Sequence, residues 1–132
     1  MYRIGNIIEK IRLPNDLELE LIDKSRVLAG DRWLVSLEAR IVIPIDKKYL
    51  EGIKEADHVI EILKKQYNEN VEYSYTQEKH FVDQREKDKV FKSFVENIKK
   101  NAIHYLSHPK FAQKTLLARY RDLKRKAPWL FQ

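Results

Sequence analysis

Cysteine is absent from this 132-residue chain. Its absence removes disulfides, thiol nucleophiles, cysteine-ligated zinc and iron–sulfur clusters, and it fits a reducing compartment. Glycine is almost as scarce, occurring only at positions 5, 30 and 52. There is accordingly no P-loop, no dinucleotide-binding turn and no nucleophile elbow, each of which needs several closely spaced glycines. Three Gly and four Pro also leave little material for linkers or disorder. No apolar run approaches the ~20 residues of a membrane-spanning helix, and Met1 to Lys10 lacks the continuous apolar stretch of a signal peptide. The expected location is the cytoplasm.

Hydrophobic residues make up 43% of the chain and aromatics 11%, enough for a packed interior at this length. A single domain over residues 1–132 is expected. The net charge of +6 is not spread along it. Residues 110–132 hold Lys110, Lys114, Arg119, Arg121, Lys124, Arg125 and Lys126 against Asp122 alone, which leaves nineteen charges of each sign in residues 1–109. A neutral body with a basic end points to an acidic partner: a protein face, nucleic acid or an anionic surface.

Apolar periodicity predicts the fold. Leu17, Leu19 and Leu21 alternate with Glu18 and Glu20, and Trp33, Val35, Leu37, Ala39, Ile41 and Ile43 alternate with Ser36, Glu38 and Arg40. These segments predict a β-hairpin over 16–45, turned at Ala29-Gly30-Asp31 and preceded by a further strand near Ile7–Leu13. Beyond Pro44, Ile53, Ala56, Ile60, Leu63 and Tyr67 recur at helical spacing, and Val71, Tyr73 and Tyr75 then return to period two, with Phe81 continuing that parity. Asp83 to Glu86 has the form of a capping box and should open a long helix through Phe91, Phe94, Ile98 and Tyr105. Ser107-His108-Pro109 ends it, and a basic C-terminal helix should run over about 109–126. The order is β-β-α-β-α-α: an α+β fold with a three- to four-stranded antiparallel sheet covered on one face by two or three helices.

On that last helix, Ala112, Leu116, Tyr120, Leu123 and Ala127 form one seam, while Lys110, Lys114, Arg121, Lys124 and Arg125 gather on a face about 130° away. The cationic face is the candidate surface for an anionic partner; Leu117 stands among its charges. Pro128 closes the helix and leaves Trp129, Leu130 and Phe131 almost at the terminus. Three large apolar side chains there should fold back or enter a partner, because burying each is worth about 1.5–3 kcal/mol.

Other constellations are weaker. His104 and His108 have helical i,i+4 spacing, but Tyr105 stands where a zincin motif has its glutamate. No metal and no cofactor is expected, and His58 and His80 read as ordinary polar-face residues. Asp23, Ser25, Arg26, Asp31 and Arg32 form the densest polar cluster of the hairpin. They suit a small ligand or acid–base work, and equally a salt-bridged turn. The strands lack the phased aromatics of an RNA-recognition motif. The chain therefore reads as a non-catalytic binding or assembly module working through its basic helix and terminal Trp-Leu-Phe, with a protein partner or a second copy favoured. Non-specific nucleic-acid binding, and a small enzyme or ligand-binding domain using the hairpin cluster, are the alternatives.

Overall fold

The computed structural model describes residues 5–132, so the first four residues of the Met1–Lys10 stretch lie outside the described residues. In chain order the elements are β1 (Asn6–Arg12), β2 (Glu18–Asp23), β3 (Arg26–Ala29), β4 (Arg32–Pro44), α1 (Ala56–Tyr67), β5 (Asn70–Asp83), α2 (Lys87–Asn97), α3 (Ile103–Leu106) and α4 (Phe111–Lys126). Short 3₁₀ turns occupy Lys47–Leu50 and Pro128–Phe131. The fold is mixed α+β around a five-stranded sheet in which β1 pairs with β2, β2 and β3 both pair with β4, and β5 pairs with β4.

The sheet has more strands than the three or four expected, for a local reason. β2 and β3 are one strand in register terms: Leu19↔Ile41 to Asp23↔Leu37 leads without a slip to Arg26↔Leu34 and Val27↔Trp33. The ladder is interrupted where the Asp23 carboxylate accepts the Ser25 N–H at 2.9 Å, a local side-chain bond that competes with strand pairing. Lys24 N–H still donates to the Ser36 carbonyl at 2.9 Å across the gap. The hairpin turns at Gly30 with φ 55°, the left-handed conformation that glycine adopts without strain.

Two compact units make up the chain, one extending to Ile41 and including Ser74–Ser107, the other formed by Val42–Tyr73 and His108–Gln132. In the first, Leu19, Leu21, Val35, Leu37 and Ala39 are fully enclosed on one sheet face, as their period-two spacing predicts. α2 belongs to that face, with Lys87 Nζ 4.8 Å from the centre of the Trp33 ring. The opposite face carries a charge ladder: Arg40 bonds Glu20, Ser74 Oγ donates to Glu38, and Ser36 Oγ donates to Glu78 at 3.1 Å. The second unit closes around Ile43, Leu50, Ile62, Leu63, Val71, Phe111 and Leu116, all buried.

Three boundaries differ from the sequence pattern. Asp83 is no helix cap: its carboxylate accepts the Arg85 N–H at 2.8 Å within a turn, and α2 starts at Lys87. The long helix is not α-helical throughout: a π-helical turn over Ile98–Ala102 joins α2 to α3, with Ile98 buried. Phe81 leaves the strand parity at φ 57° and is 70% exposed, so Val82 takes the buried place. Among the described residues, no helix is long and apolar enough to cross a membrane.

Candidate anion-binding surface

α4 has the two faces its sequence encodes. Phe111, Ala112, Leu116, Tyr120 and Leu123 are buried, recurring every three to four residues after the first pair. Around Tyr120 lies an aromatic cluster, with Phe131 at 5.4 Å and His58 at 6.0 Å between ring centres, and His58 and Phe131 5.8 Å apart. Burial, and secondarily the Glu55 charge, pushes the Tyr120 phenol above its ordinary pKa. His58 is thus a half-buried edge-to-face partner of two rings rather than a solvated polar-face residue.

The opposite face is cationic and open. Lys110, Lys114, Arg121, Lys124 and Arg125 are all exposed. They are not equivalent. Arg125 Nη2 lies 2.7 Å from Asp122 Oδ1 and Lys126 Nζ 3.4 Å from Oδ2, so one carboxylate serves two cations. Those bonds, Arg125's first, hold the Asp122 carboxyl below the usual range. Lys110, Lys114, Arg121 and Lys124 have no carboxylate partner among the described residues. Arg121 Nε donates to the Leu117 carbonyl at 3.3 Å, and Lys124 Nζ stands 5.5 Å from the Tyr120 ring centre. Ala118, Arg121, Asp122 and Arg125 line a shallow recess of about 320 Å³ along this face.

The chain matches no family model, and comparison with curated proteins and with solved structures finds no match.

The terminal Trp-Leu-Phe is divided by the 3₁₀ turn at Pro128–Phe131. Phe131 turns inward onto Tyr120 and His58, Leu130 is half-buried, and Trp129 stands 66% exposed just past the end of α4. Arg119 belongs to neither apolar seam nor basic face: its Nη2 donates to the Glu72 carbonyl at 2.6 Å, and its guanidinium lies 5.9 Å from the Tyr67 ring centre. His108 Nδ1 accepts the Lys110 N–H at 3.0 Å and so helps to start α4. Among the described residues, no group of three or more His, Asp and Glu could hold a metal.

The hairpin cluster is not one site. Asp23 and Ser25 line a pocket of about 240 Å³ with Trp33, Lys87, Asp88 and Phe91, whereas Asp31 and Arg32 sit at the hairpin tip. There Arg32 lies 3.7 Å from Asp31 and 3.3 Å from Asp83. Arg26 is exposed and touches neither group. Ser25 Oγ accepts the Ser36 N–H at 3.0 Å, so its hydroxyl serves the bridge between β2 and β3. The Asp83 carboxyl, bonded by the Arg85 side chain and backbone, is lowered to about 2. Sequence reasoning missed Asp83, Lys87 and Asp88, which lie fifty or more residues from the hairpin turn and share no local pattern with it.

Proposed function

We propose that this protein is a non-catalytic binding module that engages an acidic protein surface through the exposed face of α4. The observation carrying this reading is the set of four cations, Lys110, Lys114, Arg121 and Lys124, that face solvent with no carboxylate neutralising them among the described residues. A helix solvating itself would pair such charges with nearby carboxylates, as Asp122 does for Arg125 and Lys126. Ala118 in the recess and Trp129 beyond the helix end interleave apolar contact with charge. Trp and Arg anchors beside a polar rim favour an acidic polypeptide over a phosphate backbone.

Titration with poly-L-glutamate and with mixed-sequence duplex DNA tests it. The expected result is salt-sensitive binding of poly-L-glutamate, lost in Lys114→Glu/Arg121→Glu and weakened several-fold in Trp129→Ala. No binding at low salt, or DNA bound far more tightly than poly-L-glutamate, would overturn it; the second outcome points to a phosphate-tracking surface.

A further inference from the structure

We infer that a second copy of this chain pairs with the free edge of β5, antiparallel and centred on Gln77, so that the two sheets become one. Among the described residues β5 pairs with β4 alone, and residues 74–76 and 78–81 are exposed. An edge of this length is a template for strand addition unless it is blocked. On the other side of the sheet the edge is formed by β1, with a register shift between Ile7 and Glu9 and the charges Glu9, Lys10 and Arg12, and by the four-residue β3, itself shifted between Val27 and Ala29. Bulges and charges of that kind protect an edge. Over residues 74–80, β5 carries two charges, Glu78 and Lys79, of opposite sign, and its one positive φ comes beyond them at Phe81.

Which β5 groups face outward follows from three contacts. The Ser36 carbonyl accepts from Lys24, so even-numbered residues of β4 bond toward β2 and β3, and odd-numbered ones toward β5. Ser36 and Glu38 share a face with Glu78 and Ser74, so odd residues of β4 stand opposite odd residues of β5. The backbone groups of Ser74, Thr76, Glu78 and His80 therefore point away from the sheet. Glu72 obeys the same rule, and its outward carbonyl is already taken by Arg119. The edge is closed at 72 and open from 74 to 80.

Self-pairing has few allowed registers. Both members of a hydrogen-bonded pair must be even-numbered, which excludes every half-residue shift. Centring on Glu78 or Lys79 sets like charges directly opposite, centring on Tyr75 opposes Glu72 to Glu78, and centring on Thr76 requires the occupied Glu72. Centring on Gln77 places Thr76 against Glu78, Tyr75 against Lys79 and Ser74 against His80, with no like-charged pair. It also covers Tyr75, which is 44% exposed, with the Lys79 stem. Gln77 then meets its own copy in a non-hydrogen-bonded pair, where Cα atoms lie about 4.5 Å apart, within disulfide range.

The chain has no cysteine, so Gln77→Cys supplies one thiol per copy. Mild oxidation should cross-link Gln77→Cys into a covalent dimer, while Tyr75→Cys and Lys79→Cys should cross-link far less. By sedimentation equilibrium the unaltered chain should dimerise. Thr76→Glu, opposite Glu78 twice over, should raise the dissociation constant about tenfold, and Thr76→Glu/Glu78→Lys should restore it. Should a variant misfold, amide exchange on the unaltered chain decides: Thr76 and Glu78 should gain protection as concentration rises. A monomeric mass at about 1 mM, where even a weak specific dimer is half formed, would overturn the inference. So would a dimer indifferent to Thr76→Glu, or one lost only when residues 128–132 are removed. None of these outcomes depends on the α4 face, because the probe is the chain itself.

Discussion

At the scale of single residues, identical side chains take different roles according to their neighbours. Arg119 and Arg121 are two positions apart on α4, yet the first fastens a strand carbonyl at 2.6 Å while the second stays open to solvent. Trp129 and Phe131 are likewise two apart, one outside and one inside. Asp83 has the clearest pH signature. Its folded carboxyl lies near 2 against an ordinary 3.8, because the charged form is bonded by Arg85 and attracted by Arg32. A depressed carboxyl contributes stability that is present above pH 3.8 and is lost as pH falls toward 2. In Asp83→Asn that loss should be absent, so urea midpoints of the two proteins should differ at pH 7 and converge near pH 2. A constant difference across that range would show that Asp83 acts through packing instead. The effect should be small, since the group is only half-buried and solvent screens its exposed partners Arg32 and Arg85.

At the scale of elements, helices and strands here are specified by periodicity and then adjusted by single local contacts. α4 follows its apolar spacing: Leu116 is fully buried and its neighbour Leu117 only half so. Leu116→Ala should cost about 2–5 kcal/mol in chemical denaturation, and Leu117→Ala well under half as much. Equal costs would mean that α4 is rotated from this orientation. The interruption at Lys24-Ser25 and the π-helical turn at Ile98–Ala102 are adjustments of the second kind. In both, the buried residues keep their places, Leu37 opposite Asp23 and Leu34 opposite Arg26 on either side of the first and Ile98 within the second. The first is held by the Asp23 and Ser25 side chains without any shift of register, and the second takes one extra residue into a helical turn.

For the molecule as a whole, charge is the organising quantity. Residues 1–109 are balanced and α4 with its flanks carries the +6, so the long-range field originates almost entirely from one helix face. Reversing Lys110, Lys114, Arg121 and Lys124 to Glu takes the formal charge from +6 to −2. Stopped-flow association with poly-L-glutamate should then slow by at least tenfold and lose its dependence on ionic strength. An unchanged rate would place the recognition of anions elsewhere. Much of this molecule was legible in its sequence because alternation and helical spacing report burial directly. The hairpin from Leu17 to Ile43 and the two faces of α4 follow from which residues water rejects, and the break at Ser107–Pro109 follows from proline's missing N–H; α1 instead buries Ala56, Val59, Ile62 and Leu63, a stripe turned away from the Ile53, Ile60 and Tyr67 spacing. Tertiary structure alone decided the rest. It split the Asp23–Arg32 cluster between a pocket and a hairpin tip, because Asp83 and Lys87 arrive there from remote sequence. It turned Phe131 inward and left Trp129 outside, because one ring fits against Tyr120 and His58. It also left β5 at an edge, because strand order depends on which chain segments meet, and no local pattern encodes that.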